Sequence, residues 1–313
     1  MLDLCSPTKL PGWYYRLSSF FKECFGEPVS KIPLHAGFSC PNRDGTISRT
    51  GCSYCFNPSF APFSDMQGLV TLAEQLRKGK KKSGPAKYLA YFQSYTNTYA
   101  PVKQLKAIYD QALADPEVIG LSIATRPDCI SEEVLDLLEG YARHCHLWIE
   151  YGLQSAHDQT LKLINRGHTV ARFTETVKIT RNRGIYICAH IILGLPGETT
   201  EMMLATIEFL NSCGLDGVKF HHLQIIENTQ LAQHYAQGQV SVFPNADNYV
   251  PLLCDCLERL SPAIVVHRLA SQATKAELLI APHWKESGGQ IAAAVEKELK
   301  KRGTHQGCRY PKH

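Results

Sequence analysis

Long hydrophobic runs are missing from the sequence, and their absence argues against a membrane-spanning helix. No stretch approaches the roughly 18 consecutive apolar residues that such a helix needs. The N-terminus, MLDLCSPTKLPGWYY, has neither the basic start nor the apolar core of an export signal. Internal repeats and low-complexity tracts are absent as well. We therefore predict a cytoplasmic protein that does not bind a membrane.

A large excess of one charge is also lacking. The formal net charge is +4 over 313 residues, which permits a polyanionic partner without demanding one. Apolar residues make up 44% and charged residues 20%, the proportions of a globular protein with a sizeable core. A chain of this length can form one large α/β domain or two smaller domains.

Cysteine, in contrast, is abundant, with twelve residues in the chain. In a reducing cytosol, most scattered cysteines are small buried hydrophobes. That interpretation suits five of them: Cys145, Cys188, Cys213, Cys254 and Cys256. It does not suit the segment CPNRDGTISRTGCSYCF (40–56), whose many Pro, Asn, Gly, Ser and Thr residues are typical of a loop. Three thiols in one polar loop indicate a metal or redox site.

Six apolar segments alternate with stretches of helical spacing. The segments are 31–38, 87–93, 118–125, 146–154, 185–194 and 217–226. Their nearly continuous apolar character is typical of parallel strands covered on both faces, and the alternation predicts helices outside the sheet. Ser131 and Thr199 are candidate N-caps of two of these helices. Six such units suit an incomplete barrel or a doubly wound sheet.

Past residue 228 the alternation weakens. Residues 246–260 and 290–302 predict helices, IVVHRL predicts a short strand, and the basic tail predicts a mobile end. We accordingly divide the chain into an N-terminal segment (1–30), a barrel (31–228) and a mostly helical extension packed on the barrel (229–313).

Polar and glycine-rich features fall at the ends of the predicted strands. The cysteine loop follows the first strand, and residues 125–128 follow the third. Gln154 and Ser155 end the fourth strand, and residues 194–198 end the fifth. In a parallel barrel these strand ends share one rim, which is where active sites lie. The convergence predicts an active site at this rim.

Three thiols in that loop suit three kinds of site. Structural zinc would need a fourth ligand at matching spacing, and no partner pair follows in the sequence. A redox pair at Cys52 and Cys55 would be expected at a helix start, and it leaves Cys40 unexplained. Three thiolates on a [4Fe–4S] cluster leave one iron open for a substrate or cofactor. The residues favour the open cluster.

The fourth strand points a carboxylate into the barrel. Alternation puts Glu150, Gly152 and Gln154 on the inner face and the odd-numbered residues 147–153 on the helix side. A buried carboxylate is costly without a cation or hydrogen-bond donors. Two interpretations follow: Glu150 pairs with an Arg or Lys of the barrel, or it binds a cationic group of a ligand.

The motifs along the chain resemble those of a known family. They are CPNRDG, GCSYCF, YFQSYTNTYAP, ATRPD, EYGLQS, INRGHT, HIILGLPGE, HRL, ELLIAP and THQG, between Pro28 and Gly307. They closely resemble YtqA/YhcC-type radical S-adenosylmethionine (SAM) proteins. The long gap between the first two cysteines is similar to the branch that contains the catalytic subunit of Elongator. The resemblance implies a partial (βα)6 TIM-like barrel of the radical SAM type, with a small C-terminal α/β extension.

The resemblance also implies cofactors and chemistry. The open iron of a [4Fe–4S] cluster held by Cys40, Cys52 and Cys55 would chelate SAM. One electron, from a donor such as flavodoxin or ferredoxin, would then release a 5′-deoxyadenosyl radical that takes a hydrogen atom from the substrate. The Gly-Gly-Glu that often follows strand two in this superfamily is absent, and residues 93–97 stand in its place.

The same resemblance implies seven SAM contacts. They are Phe56 near the adenine, Arg126 at the carboxylate, Glu150 at the ammonium, Gln154 and Ser155 at the ribose or methionine part, and Gly194 and Pro196 in a turn that approaches the adenine. The ammonium of SAM is a cation, so its contact with Glu150 would offset the energetic cost of burying this carboxylate.

The substrate that the resemblance implies is tRNA. The Elongator-like branch modifies carbon 5 of the wobble uridine, and YtqA-type members are linked to remodelling aminomethyl side chains on that base. The Lys78–Lys82 run and the Lys300–Arg302 helix end would lie near the cluster rim and contact phosphates. Two alternatives stay open: a radical SAM enzyme for a small molecule or peptide, and an iron–sulfur protein that binds or senses without turnover.

Lys219 and His221 share one face of the sixth strand, which we place inward. A lysine and a histidine inside a barrel are unusual unless paired, so we predict that they are catalytic groups on the substrate side. In the other interpretation, Lys219 forms an ion pair with a glutamate across the barrel, and His221 is a hydrogen-bonded histidine of the core.

Overall fold

A parallel sheet with helices on its outer face forms most of the structure. The computed structural model describes residues 10–59, 70–80, 84, 86–271 and 275–311. Within these ranges, no helix is both long and apolar enough to cross a membrane.

Seven parallel strands curl into a half-barrel. In spatial order they are β1 (Val29–Leu34), β2 (Lys87–Phe92), β3 (Val118–Thr125), β4 (His146–Gln154), β5 (Tyr186–Leu193), β6 (Gly217–His222) and β8 (Val265–Arg268). A small antiparallel sheet pairs β7 (Ile225–Ile226) with β9 (Leu279–Ala281). The predicted α/β fold, a partial TIM-like barrel, is therefore confirmed.

Helices connect the strands and cover the outside of the sheet. They are α1 (Leu17–Phe25), α2 (Leu72–Gly79), α3 (Val102–Leu113), α4 (Glu132–Ala142), α5 (Asp158–Leu163), α6 (Val170–Thr180), α7 (Thr200–Ser212), α8 (Gln230–Ala236), α9 (Ala246–Arg259) and α10 (Gly288–Arg302). Both candidate N-caps are in place: Ser131 accepts from the Val134 amide, and Thr199 accepts from the Met202 amide. Each such cap stabilises its helix by about 1 kcal/mol.

The alternation predicted for β4 matches its packing. The odd-numbered residues from Leu147 to Leu153 are buried in the main hydrophobic core, together with residues of the outer helices. Glu150, Gly152 and Gln154 line a cavity in the barrel interior. One face of β4 therefore stabilises the fold, and the other builds the site.

Helix α1 closes the bottom of the barrel, the end where the strands begin. Its buried Phe20 packs edge-on against Trp148 of β4 and Tyr186 of β5, with ring centroids 5.5 and 5.3 Å away. Both partners lie close to the starts of their strands. The cysteine loop, which follows β1, lies at the opposite rim.

The C-terminal region contributes a seventh strand. The predicted strand IVVHRL is β8, which pairs in parallel with β6 at the edge of the sheet. The predicted sixth strand (217–226) is divided, because β6 ends at His222 and Ile225–Ile226 pairs with β9 instead. The domain boundaries at residues 30 and 228 stay a prediction.

The prediction of a mobile tail is wrong up to residue 311. Gln306 is fully buried, and its Nε2 donates to the carbonyl oxygens of Ser261 (2.7 Å) and Ile264 (2.8 Å). Its Oε1 accepts from the Tyr15 amide at 2.8 Å. The side chain of Gln306 thus joins the tail to the N-terminal segment and to the start of β8. The polar composition of the tail does not reveal these contacts.

Candidate active site

The cysteine loop (residues 35–56) lies at the rim where the strands end. Cys40, Cys52 and Cys55 line one cavity that extends from this loop into the barrel. Tight turns fix their positions: the Arg43 amide donates to the Cys40 carbonyl (2.8 Å), and the Cys55 amide donates to the Cys52 carbonyl (3.0 Å). The structure therefore brings the three predicted ligands to one cavity.

The segment that follows α5, residues 164–168, anchors the cysteine loop. Asn42 Nδ2 donates to the Asn165 carbonyl at 2.7 Å, and Asn165 Nδ2 donates to the Gly51 carbonyl at 2.7 Å. The Ser53 amide donates to the Ile164 carbonyl at 3.0 Å. This segment belongs to the INRGHT motif (164–169), whose role the sequence did not reveal.

Arg166 of this segment brings positive charge to Cys52. Its Nη1 lies 3.5 Å from Cys52 Sγ, while its Nη2 donates to the Gly152 carbonyl at 2.6 Å. A Cβ at position 152 would lie 2.5 Å from Arg166 Nη2, so a larger residue there would displace this guanidinium group. Burial acts to raise the pKa of Cys52, but Arg166, Arg126 and Asn42 outweigh it, and the pKa is lowered. A lowered pKa suits a metal ligand, since metals bind the thiolate.

The three thiols are not spaced as ligands of a single zinc ion would be. The three sulfur atoms do not all lie within 4.8 Å of one another. A tetrahedral zinc would hold its sulfur ligands about 3.8 Å apart. Asn42 Nδ2 lies 3.4 Å from Cys52 Sγ, and Asn57 Nδ2 lies 3.8 Å from Cys55 Sγ. Hydrogen bonds of this kind to cysteine sulfur tune the reduction potential of a cluster.

Glu150 forms the centre of a buried charged layer deeper in the barrel. Its Oε1 lies 2.5 Å from Lys31 Nζ and 2.5 Å from Ser122 Oγ. Its Oε2 lies 3.2 Å from Lys219 Nζ and 2.6 Å from His190 Nε2. Burial opposes ionisation, yet Lys219 and Lys31 together keep the pKa of Glu150 well below its usual value.

These contacts match the first interpretation of Glu150, a carboxylate paired with barrel lysines. Both carboxylate oxygens already have partners from the chain, so the ammonium of SAM is not required to explain the buried charge. The ion pairs of Glu150 with Lys31 and Lys219 are therefore present, and its contact with SAM stays a prediction.

Lys219 takes part in this layer and also lines the cavity. Its Nζ donates to Tyr91 Oη at 2.5 Å in addition to its contact with Glu150. Burial lowers the pKa of Lys219 to about 7; Glu150 opposes this shift, while Arg268 and Lys31 add to it. The ion pair across the barrel is thus present, and it involves a lysine that lines the cavity.

His221 lines the cavity beside Lys219. Ser271 Oγ donates to the His222 carbonyl at 2.8 Å and lies 3.3 Å from His221 Nδ1. Because the proton of Ser271 is used by the carbonyl, we assign the Nδ1 proton to His221, which leaves its Nε2 as an acceptor. His221 is therefore arranged to accept a hydrogen bond from a ligand.

Two further predicted SAM contacts also line the cavity, Arg126 and Gln154. Arg126 Nε and Nη2 donate to the two carboxylate oxygens of Asp128 at 2.9 and 2.8 Å. Its buried Nη1 has no hydrogen-bond partner among the described residues. Gln154 lies at an irregularity in the β4–β5 pairing, with φ +78°. Both residues therefore line the same cavity as the cysteines, and their contacts with SAM stay predictions.

The remaining predicted contacts lie outside the cavity lining. They are Phe56, Ser155, Gly194 and Pro196. Ser155 Oγ donates to Glu198 Oε1, and a Cβ at Gly194 would lie 2.8 Å from the Phe243 ring. The hydrogen bond to Glu198 therefore accounts for the hydroxyl of Ser155, and the nearby Phe243 ring accounts for the glycine at position 194. The SAM contacts of these four residues stay predictions.

Several residues of the site were missed at the level of sequence. They are Lys31, Arg43, Tyr91, Arg166, His190 and Arg268. His190 has the same parity in β5 as Cys188, so alternation alone could have placed it inward. Arg166 carried no such signal, because it reaches Cys52 from a loop more than a hundred residues away in sequence.

Buried neutral histidines make the fold sensitive to acid. Burial lowers the pKa of His146, His222 and His267 to about 3 and that of His190 to about 4. An unfolded histidine titrates near 6.5, so the unfolded state binds more protons between these values. Stability should therefore fall as the pH drops from about 6.5 toward 4, by up to about 1.4 kcal/mol per pH unit for each histidine.

Urea unfolding of the metal-free protein at pH 7.5 and 5.5 measures this effect. We expect a lower midpoint at pH 5.5 and a smaller difference in the variant His222→Phe. The exposed His144 supplies the control, since His144→Gln should keep the full pH dependence. Equal midpoints at the two pH values would contradict the expectation.

Comparison with known proteins agrees with this architecture. The family model of the Radical SAM superfamily matches residues 42–210, and that of the Radical SAM C-terminal domain matches residues 215–301. YtqA of Bacillus subtilis (strain 168) is 39% identical over 300 residues, covering 94% of this chain and 92% of YtqA. YhcC of Escherichia coli (strain K12) is 40% identical over 281 residues, covering 89% and 90%.

Two more distant matches extend the comparison. The tRNA uridine(34) acetyltransferase of Dehalococcoides mccartyi (strain CBDB1) is 30% identical over 162 residues, which cover 50% of this chain and 34% of that protein. The solved structure of Methanocaldococcus infernus Elp3 with an N-terminal deletion has a TM-score of 0.69 at 17% identity. It covers 89% of this chain, which spans 64% of that chain, and it shows the same fold. The chain therefore belongs to the radical SAM superfamily, whose members use a [4Fe–4S] cluster and SAM.

Proposed function

We propose that this radical SAM protein is an enzyme that modifies the wobble uridine of tRNA. One observation carries the enzyme assignment: a single cavity contains the three cysteines and also Lys219 and His221. A cofactor at the cysteines and a substrate at Lys219 would therefore meet in the same cavity. Similarity over half the chain to a tRNA uridine(34) acetyltransferase supports tRNA as the substrate.

The residues of the site have distinct roles in this proposal. Cys40, Cys52 and Cys55 would hold the cluster. When bound and reduced, the cluster supplies SAM with the electron that releases a 5′-deoxyadenosyl radical. Arg126 would donate its unpartnered Nη1–H to the SAM carboxylate, and Gln154 would bind the ribose or methionine part.

Lys219 and His221 would act on the substrate. A lysine with a pKa near 7 can give or accept a proton at neutral pH, which a solvent-exposed lysine does poorly. His221 Nε2 would accept a hydrogen bond from the substrate. Glu150 would hold the Lys219 ammonium toward the cavity and thus act as a positioning residue.

The structure places Lys80, one of the residues predicted to contact phosphate, away from the cluster rim. Lys80 lies 2.7 Å from Asp115 and 2.6 Å from Glu117, directly before the start of β3 and therefore at the bottom of the barrel. Lys81 and Lys82 lie outside the described residues. Arg302, in α10, lies 2.7 Å from Asp255. The prediction that Lys80 contacts phosphate at the cluster rim is therefore wrong.

Exposed basic side chains at the rim are better placed than Lys80 to contact the phosphates of tRNA. Arg49 belongs to the cysteine loop, and Lys162 lies in α5 beside the segment that anchors this loop. We expect the double variant Arg49→Gln, Lys162→Gln to bind bulk tRNA more weakly. The slope of log affinity against log salt should flatten by roughly one unit for each lost phosphate contact.

Filter binding at several salt concentrations measures this slope. Lys301→Gln removes an exposed charge from α10 and should leave the slope unchanged. Equal slopes in wild type and the double variant would show that tRNA does not contact this rim.

Two further partners belong to the proposal. An electron donor such as flavodoxin or ferredoxin would reduce the cluster. We also propose a reducing compartment, the cytoplasm, because the ten cysteines from Cys40 to Cys308 in the described ranges form no disulfide bonds.

Nucleoside analysis tests the proposed function directly. Wobble nucleosides of tRNA from cells with and without the gene would be compared by mass spectrometry. We expect one modified uridine to disappear and its precursor to accumulate in the deletion strain, with restoration by the wild-type gene and not by Cys52→Ala. Unaltered wobble nucleosides would refute tRNA as the substrate and favour a small molecule or peptide.

A further inference from the structure

Arg268 carries a positive charge that the described residues do not neutralise. It is the last residue of β8, it is half-buried, and it lines the cavity. In the parts of the chain that the structure describes, it has neither an ion pair nor a hydrogen bond through its guanidinium group. The other cavity arginines are engaged: Arg126 pairs with Asp128, Arg166 with Gly152 and Cys52, and Arg43 with the Cys55 carbonyl.

The buried charged layer around Glu150, which lies beside Arg268, also has more positive than negative charges. One carboxylate, Glu150, serves two ammonium groups, those of Lys31 and Lys219. Lys219 is the register partner of Arg268 across β6 and β8. Both side chains therefore rise from adjacent strands into the same cavity, and the charge of Arg268 adds to burial in lowering the pKa of Lys219. Like charges in a poorly hydrated cavity repel strongly unless an anion lies between them.

We propose that Lys219 and Arg268 bind an anionic group of the substrate, a carboxylate or a phosphate. This inference rests on the proposed function. It adds the chemical class of the substrate group that would lie in the cavity. A guanidinium group binds either anion with two parallel hydrogen bonds, and the ammonium supplies a point charge. A bound anion also favours the charged form of Lys219, so substrate binding sets its protonation state.

The position of Arg268 separates this anion from the carboxylate of SAM. Arg126, with its unpartnered Nη1, follows β3, whereas Arg268 ends β8. Three strands lie between β3 and β8 in the sheet, which corresponds to about 19 Å along its curve. The two guanidinium groups thus face the cavity from different sides, one beside the cysteine loop and one beside Lys219.

Anion titration of the reconstituted protein tests the site. Inorganic phosphate and acetate would each be titrated calorimetrically at constant ionic strength, with saturating SAM so that the SAM contacts are filled. We expect at least one of the two anions to bind wild type, at least tenfold weaker binding to Arg268→Gln, and a smaller loss in Arg268→Lys. The exposed Arg143, at the end of α4, gives the matched control Arg143→Gln, which should bind like wild type.

Each outcome has a defined meaning. Binding of phosphate alone, or of acetate alone, identifies the source of the anionic group, and binding of both supports the shared chemistry. The proposal is overturned if neither anion binds, or if Arg268→Gln binds like wild type. It is also overturned if Arg268→Gln weakens SAM binding by the same factor, because the anion would then be the SAM carboxylate.

The test is independent of the tRNA assignment. Unaltered wobble nucleosides together with anion binding at Arg268 would refute tRNA and keep an anionic small-molecule substrate. Altered nucleosides together with no anion binding would refute the site and keep tRNA.

Discussion

Replacing Cys40, Cys52 or Cys55 with alanine should abolish the cluster. Anaerobically reconstituted wild-type protein should contain about four irons and four sulfides, since three thiolates can hold a [4Fe–4S] cluster. All three thiols line the same cavity, and each would hold one iron, so loss of any one opens a second iron. Iron and sulfide analysis with visible absorption spectra measures the result. We expect the absorption of the cluster to disappear and SAM cleavage to fall at least a thousandfold.

Cys213→Ala provides the matched control. Cys213 lies at the end of α7 in the main hydrophobic core, so its replacement should leave the iron content unchanged. Stoichiometric zinc without iron in a folded wild-type protein would refute the cluster assignment. An unchanged cluster in Cys40→Ala would remove that residue from the ligand set.

Glu150→Gln should destabilise the fold strongly. The substitution keeps the shape of the side chain but leaves the ammonium groups of Lys31 and Lys219 without their carboxylate. Breaking a buried ion pair by removing one partner costs about 3–5 kcal/mol. Urea unfolding should therefore show a loss of this size. SAM affinity of the folded variant should change less than twofold, because Glu150 contacts barrel side chains.

A second substitution checks the electrostatic cause. In the double variant Glu150→Gln, Lys219→Met, one buried cation is removed together with the carboxylate, and we expect part of the lost stability to return. A tenfold loss of SAM affinity with unchanged stability in Glu150→Gln would instead assign this carboxylate to the SAM ammonium.

The sequence was informative wherever a residue's role follows from local pattern. Period-two alternation placed Glu150 and Lys219 inside the barrel, and cap residues located the starts of α4 and α7. The thiol spacing brought Cys40, Cys52 and Cys55 together because all three lie in one short loop after one strand. In each case the deciding contacts lie within about fifteen residues in the sequence.

Local sequence pattern could not predict which side chains Glu150 and Cys52 contact. Glu150 meets Lys31, 119 residues earlier in the chain, and Arg166 meets Cys52, 114 residues away. Such contacts depend on strand order and on loop conformation, which no short window encodes. The same limit explains why the position of Lys80 at the bottom of the barrel was not foreseen.

Reductive cleavage of SAM tests the central claim most directly. The reconstituted protein would be reduced with dithionite and incubated with SAM, and 5′-deoxyadenosine would be measured by mass spectrometry. We predict its release by wild type and by Cys213→Ala, and none by Cys40→Ala, Cys52→Ala or Cys55→Ala. A fully loaded, reduced wild-type protein that binds SAM and releases no 5′-deoxyadenosine would contradict the account.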